Sequence, residues 1–300
     1  MKISRSGPSI SMLMPEFLRS VIFVRLSKSI AGRCLMKSMG SECPLVSCVM
    51  ATTQPRRRFL SQALKYFQRQ TYAPRELIVV DDPGEPARDM IATIPEIRYL
   101  QTNARLTLGS KLNLGIQEAR GKIIQKLDDD DYYHPDFLSA TVGALLAGNR
   151  PDSIAACTSH LILIAATREL KVRRMAMWSG GTFCFFKELW RKSAYRDVSL
   201  AEDLLFLKDH EAALIGIDNP ELYCYVRHAG GHLWSHFVKS ENMELGAVTA
   251  GGDVTEYFRK LPTYSKTWKE YIPEEDLWFW ENQVQSETAP APANPADGGL

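Results

Sequence analysis

The stretch Lys122–Pro135 reads KIIQKLDDDDYYHP. Its first half, through Leu127, is an apolar-leaning run of the length that suits a buried parallel strand. Its second half sets four aspartates, Asp128 to Asp131, where that strand ends. Four adjacent like charges repel one another, and ordering them beside a buried strand costs stability. One reading is a solvated acidic loop. The other is a cage for a hard cation and the phosphates it carries.

The segments upstream bear on that choice. LVSCVMA (Leu45–Ala51) is a short apolar run suited to a buried strand. RRRFLSQALKYFQRQ (Arg56–Gln70) spaces Phe59, Leu60, Ala63, Leu64 and Phe67 at helical intervals. ELIVVDD (Glu76–Asp82) is a second strand ending in two aspartates, and the turn-forming PGEP follows it. IRYLQT (Ile97–Thr102) reads as a third strand, GSKLNLGIQEA (Gly109–Ala119) as a helix, and KIIQKL as the fourth strand. This rhythm predicts an α/β fold whose parallel sheet is joined by right-handed crossovers. In open sheets of that kind ligands sit beyond the carboxyl ends of the strands. Asp81–Asp82 and Asp128–Asp131 both follow strands at that end, so two acid groups are expected to converge on one crevice. Chance acidic turns explain either cluster alone but explain the pair poorly.

Beyond Pro135 the character changes. PDFLSATVGALL (Pro135–Leu146) predicts a helix with the proline near its first turn. SIAAC, HLILIAA and ELKVRRM read as strands, the last two paired around Thr167–Arg168. SGGTFCFF (Ser179–Phe186) is a glycine turn entering a strand, SLAEDLLFLKDHEA (Ser199–Ala212) a helix, and LYCYVRHAGGHLWSH (Leu222–His236) a strand followed by a His-rich loop. No internal repeat is present. The expected organisation is a basic leader over residues 1–43, a main unit over 44–238, a helical extension over 239–284 and a disordered Pro/Ala-rich tail over 285–300.

Composition sets outer bounds. The chain has 300 residues, 45% hydrophobic and 24% charged, which is ordinary globular composition with ample material for a core. A net charge of +1 gives no support for nucleic-acid binding as the main activity. The 6 cysteines include no CxxC pair, against a zinc site and a disulfide framework and in favour of a reducing compartment. No apolar run approaches the ~20 residues of a membrane-spanning helix. The first forty residues hold 7 basic side chains and a single acid, Glu16. Phe17, Leu18, Val21, Ile22 and Leu26 could share one face of a basic amphipathic helix lying on an anionic membrane. A poorly ordered leader, or an upstream extension from a misassigned start, is the preferred alternative. The expected location is cytoplasmic, with peripheral contact at the inner membrane face left open.

The chemistry starts from Asp128 and Asp130. Mg²⁺ and Mn²⁺ take one or two carboxylates together with substrate phosphates and water. The loop lacks the Asp/Asn/Gly ladder of a calcium-binding hand, so a metal on a nucleotide diphosphate fits better. In SLAEDLLFL, Ser199 and Glu202 have capping-box spacing, which accounts for Glu202 and leaves Asp203 unassigned. An acid in a first turn gains from the helix dipole, and one facing a cleft can also act as a general base; spacing alone favours capping. Lys111 follows a glycine at a helix start, where a phosphate is welcome, although exposed helical lysines are common. His228, His232 and His236 are spaced by four residues, but Gly230 and Gly231 disfavour a helix through them. One of them is a candidate metal ligand and the others ordinary loop residues.

With these residues in hand, the chain resembles the family 2 glycosyltransferases of the GT-A fold from about Pro44 to about His236. PLVSCVMAT, LKYFQRQTYAPRELIVVDD, LGSKLNLGIQEARGKIIQKLDDDDYYHPDFL and AEDLLFL carry the likeness in order and spacing. The resemblance implies a mostly parallel nucleotide-binding sheet flanked by helices, with a smaller mixed region on the acceptor side. It implies that Asp82 receives the nucleotide base and that Ala51 meets base or ribose. Asp128 and Asp130 correspond to the two acids of the DxD motif, Asp130 being the direct ligand of Mg²⁺ or Mn²⁺. Asp203 corresponds to the acid of the ED motif, the base of inverting members, which reverses the preference from spacing: Glu202 caps and Asp203 catalyses. Lys111 is brought near the diphosphate, His228 near the metal or pyrophosphate, and Trp178–Thr182, including Gly181, to the border of donor sugar and acceptor. Two departures stand out. TTQPRRR replaces the usual Asn or Arg after the first strand, and DDPGE replaces DDGS after the second. Neither removes a carboxylate.

The implied activity is inverting transfer of a sugar from a nucleotide diphosphate, a UDP-sugar foremost, to a glycan, lipid or protein hydroxyl. Nucleotidyl transfer is a second reading, but ATTQPRRR lacks the glycines of a phosphate loop. A non-catalytic nucleotide-sugar-binding module is a third.

Overall fold

The computed structural model describes residues 43–91, 94–165, 167–174, 178–227 and 259–286. It also describes the backbone of short strands at Ile3–Ser4, Val21–Val24, Ser235–Phe237 and Val248–Ala250. The four upstream apolar runs form strands: β1 (Val46–Ala51), β2 (Arg75–Asp81), β3 (Ile97–Gln101) and β4 (Ile123–Asp128). Nearly every residue of β1, β2 and β4 is buried, as expected for strands covered on both faces. Downstream come β5 (Tyr132–Tyr133), β6 (Ser153–Cys157), β7 (His160–Ile164), β8 (Glu169–Arg173), β9 (Cys184–Phe186), β10 (Ala213–Ile217) and β11 (Tyr223–Arg227).

One large sheet runs Ile3–Ser4, Val21–Val24, β10, β6, β9, β4, β1, β2, β3. All its pairings from Val21–Val24 to β3 are parallel except those of β9, which lies antiparallel to both β4 and β6. A smaller mixed sheet runs β8, β7, β11, β5. The mostly parallel sheet with a smaller mixed region is therefore as expected. Val21–Val24 pairs with β10 as a strand, which corrects the amphipathic-helix reading at those four residues. The leader apart from Ile3–Ser4, Val21–Val24 and Cys43, and the tail from residue 287, lie outside the described residues.

Helices cover both faces. α1 (Arg57–Gln68) buries Phe59, Leu60, Ala63, Leu64 and Phe67, the set its spacing predicted. It shares a core layer with α3 (Phe137–Gly148) and the side chains of Val46, Cys48 and Met50. On the opposite face α2 (Leu108–Glu118), α4 (Lys187–Lys192) and α5 (Glu202–His210) pack over Val49, Ile78 and Val80. The alternation of strand side chains between faces creates these two layers. Each fully buried Leu or Phe contributes about 1.5–3 kcal/mol.

The helix expected through Ala212 stops at His210 because Glu211 turns left-handed, with φ 46°, and the next residues enter β10. No glycine announced that turn. Helices α6 (Trp268–Tyr271) and α7 (Glu274–Ser286) belong to the same body. Asp276, fully buried, accepts from Gln62 Nε2 on α1 at 2.6 Å and pairs at 2.5 Å with Nη1 of Arg69, which caps that helix, and Trp280 Nε1 donates to Tyr66. Cys43 is disulfide-bonded, while Cys48, Cys157, Cys184 and Cys224 are free and buried. Among the described residues no helix is long and apolar enough to cross a membrane.

Candidate active site

Because β1, β2 and β4 are parallel neighbours, their last residues come level. Ala51 stands opposite Val80 on one side and Asp128 on the other. The next residue, Thr52, ties the two acid clusters together. Its carbonyl accepts from Lys111 Nζ at 2.9 Å, and its hydroxyl donates to Asp129 Oδ2 at 2.7 Å.

At the end of β2 the charges are matched one to one. Lys111, reaching in from α2, is buried and lies 2.7 Å from Asp82 Oδ1. Asp81 takes Arg57 at 2.5 Å and the Tyr99 hydroxyl at 2.7 Å on a single oxygen. Its other oxygen, and Nε of Arg57, are buried with no hydrogen-bond partner.

The quartet after β4 divides into four environments. Asp128 keeps its side chain 31% exposed at the strand end, and its amide donates to the Tyr133 hydroxyl. Asp129 is buried against Arg56, whose Nε and Nη2 donate at 2.8 and 2.5 Å. The same Nη2 lies 2.6 Å from Asp130 Oδ1. Asp131 turns inward, accepting from the Tyr223 hydroxyl and from the Val226 amide. Burial, with Asp130 and Asp128 adding to it, holds the Asp131 carboxyl well above the usual carboxylate range. Burial also raises Asp129, against the pull of Arg56. For Arg56 the order is reversed: burial opposes its charge, but Asp129 and Asp130 hold it above the ordinary arginine range.

A buried lysine links this quartet to α5. Lys126 Nζ, on β4, lies 3.0 Å from Glu202 and 3.5 Å from Asp128. Burial works against its charge, yet Asp128, Glu202 and Asp203 keep it firmly protonated. Glu202 is pushed up to about 7 by burial, with Lys126 pulling it down and Asp203 adding to the rise. The expected capping box is absent. The N-cap of α5 is Ala201, left-handed at φ 57° with no side-chain cap bond. Ser199 instead accepts from the Leu108 amide. Glu202 occupies the first helical position rather than the third, so it points to the ammonium and not back to a cap.

Asp203 and Asp128 both border the glycine turn Gly180–Gly181. A Cβ at 180 would collide with the Asp203 carboxylate, and one at 181 with the Asp128 carboxylate. Only glycine lets both acids approach the same turn. The Gly181 carbonyl accepts from Tyr133, which also receives the Asp128 amide. Asp128, Asp130, Asp203, Gly181, Ala51, Asp82 and Lys111 are thus brought to one end of the sheet. Lys111 meets Asp82 in an ion pair there. His228 and His232 lie outside the described residues, as does the side chain of His236. Arg56 and Lys126 were not among the expected site residues, and Gly180 entered only within Trp178–Thr182. The visible signal was a lysine inside a buried strand.

Among the described residues no three His, Cys, Asp or Glu side chains cluster as a metal cage. Two carboxylates, Asp128 and Asp130, nevertheless suit Mg²⁺ or Mn²⁺, which complete their shells with phosphate and water. The guanidinium already seated on Asp130 shows that this oxygen accepts a cation.

The glycosyl transferase family 2 model matches residues 47–191. Asp203 and His228 fall beyond that match. The uncharacterized glycosyltransferase YwdF of Bacillus subtilis (strain 168) is 34% identical over 89 residues, 29% of this chain and 33% of that protein. The chain therefore spans about a third of that relative's length. Mannosyltransferase PcManGT of Pyrobaculum calidifontis, solved with GDP-Man and Mn²⁺, gives a TM-score of 0.49 at 16% identity over 62% of this chain and 57% of that one. The S. aureus TarS 1–349 structure with UDP-GlcNAc gives 0.48 at 16% identity over 65% and 62%. The matched residues 47–191, just under half of the chain, run from β1 through the quartet to α4 and resemble glycosyl transferase family 2.

Proposed function

We propose that the protein transfers a sugar, with inversion, from a nucleotide diphosphate to an acceptor hydroxyl. The family match and the named relative support glycosyl transfer. The observation that carries the finer reading is the glycine turn with Asp203 against one residue and Asp128 against the next. A base and a leaving-group site that flank one turn can serve opposite faces of one sugar ring.

In this reading Asp82, with Asp81 beside it, receives the nucleotide base, and Ala51 borders base or ribose. Asp128 borders the donor at Gly181. Asp130 would hold Mg²⁺ or Mn²⁺, which when bound offsets charge on the departing diphosphate. Asp203 takes the proton of the acceptor hydroxyl, whose oxygen bonds to the anomeric carbon as the carbon–oxygen bond to the diphosphate breaks. Lys126 keeps β4 and α5 in register by bridging Asp128 and Glu202. Lys111 holds Asp82 and the Thr52 carbonyl in place beside the nucleotide. The glycosyltransferase unit extends over residues 44–238.

Incubation of the purified protein with a panel of nucleotide sugars and Mn²⁺ is expected to release nucleoside diphosphate in the presence of an acceptor. Asp203→Asn is expected to keep donor binding and lower turnover by on the order of 10²–10⁴-fold. Retained turnover in that variant refutes the base assignment. Binding with no turnover under any acceptor supports a non-catalytic module, and release of sugar 1-phosphate in place of nucleoside diphosphate supports nucleotidyl transfer.

A further inference from the structure

Arg56 closes the short turn Gln54–Arg56 just after β1, within the TTQPRRR stretch that departs from the family pattern. Its guanidinium lies on Asp129 and Asp130 together, at 2.5 and 2.6 Å, with the side chain only 24% exposed. Asp129 is fixed from the other side by Thr52. The carboxyl assigned above to the metal therefore already carries a cation belonging to the chain. A guanidinium and a divalent ion on one carboxylate oxygen repel each other and compete for the same lone pairs. A diphosphate offers Arg56 an alternative, because its paired oxygens match the guanidinium fork as well as a carboxylate does.

We propose that Arg56 is a resident counter-cation that competes with divalent metal for Asp130 and is drawn off by the nucleoside diphosphate, so that metal and diphosphate bind as coupled partners. The inference rests on the proposed function for the identity of the diphosphate but not for the competition itself. By linkage, whatever the diphosphate gains from metal, the metal gains equally from the diphosphate. Without nucleotide Asp130 stays paired with Arg56 and binds metal weakly. With nucleotide, Arg56 moves its partner from carboxylate to phosphate and the metal affinity rises.

The test is a Mn²⁺ titration of the full chain, with free Mn²⁺ read by electron paramagnetic resonance, in the absence and presence of uridine diphosphate. Arg56→Gln is expected to tighten Mn²⁺ binding without nucleotide by about tenfold, within the range of ordinary coupling, and to shrink the gain on adding uridine diphosphate. Arg57→Gln removes the same charge one residue along, where the partner is Asp81, and is expected to change Mn²⁺ affinity less than about twofold. Arg56→Lys keeps the charge without the fork and should fall between wild type and Arg56→Gln. Unchanged or weaker Mn²⁺ binding in Arg56→Gln overturns the proposal. So does equal tightening in Arg57→Gln, which would reveal only the general field, or absence of Mn²⁺ binding in every variant. If Arg56→Gln tightens Mn²⁺ while uridine diphosphate binds none of the proteins, competition stands and the diphosphate half of the proposal falls together with the donor assignment.

Discussion

Two acidic clusters end adjacent parallel strands, yet they are built on opposite principles. After β2, Asp81 and Asp82 meet Arg57 and Lys111, one cation for each acid. After β4, Asp128 to Asp131 together with Glu202 and Asp203 of α5 gather six carboxyls, and the described ion pairs there use two cations, Arg56 and Lys126. The first cluster is a balanced, closed arrangement. The second has more carboxyls than cations in its described ion pairs, and burial first, with neighbouring carboxylates adding to it, raises the carboxyls of Asp129, Asp131 and Glu202. A shortage of positive charge at the mouth of a sheet favours any cation, or cation-bearing ligand, that can enter.

The largest effect is expected at the balanced cluster. Lys111→Met leaves Asp82 buried without its ammonium and is expected to cost about 3–5 kcal/mol in urea unfolding. A loss under about 1 kcal/mol would show that the pair is better solvated than its burial indicates.

At the crowded cluster the main casualty should be geometry. Gly180→Ala drives a methyl group into Asp203 and is expected to lower kcat by about 10²-fold with a small change in the unfolding midpoint. An unchanged kcat would detach Asp203 from the reaction.

A weaker, pH-dependent effect belongs to Glu202. Its folded pKa of about 7 lies above the ordinary value of 4.5, so between these limits the folded protein binds more protons than the unfolded chain. Stability from this group is greatest at low pH and falls as pH rises through that window, by no more than about 1.4 kcal/mol per pH unit. Subtracting the pH profile of Glu202→Gln from that of wild type isolates the slope, since His134 and His210, lowered by burial, contribute equally to both. A flat difference would mean that Lys126 neutralises Glu202 completely. Smallest of all, Trp278→Ala at a side chain 73% exposed on α7 should shift stability within about 0.5 kcal/mol. A larger loss would place an unrecognised contact on that face.

Much of the architecture was legible because strands and helices declare themselves by local period. The fully apolar LVSCVMA and ELIVVDD runs had to be doubly covered, and the spacing of Phe59, Leu60, Ala63, Leu64 and Phe67 had to face a core. The convergence of Asp81–Asp82 with Asp128–Asp131 followed from parallel order. The roles given to Glu202 and Lys111 were less legible. A capping box at Ser199–Glu202 is a local pattern, and a buried ammonium from β4 outbid it across the fold. Lys111 was expected near the diphosphate, but α2 carries it onto Asp82 and the Thr52 carbonyl.

By itself the sequence determined the alternation of strands and helices, and with it the end of the sheet at which both sets of aspartates emerge. Period and polarity are properties of neighbouring residues, so a single chain displays them. Only the tertiary structure decided which aspartate faces outward, which cation sits on Asp130, and that Asp203 and Asp128 press on successive glycines. Those choices depend on groups such as Arg56, Lys126 and Gly180 meeting across the fold, where burial and charge at close range select among partners that the linear order leaves equivalent.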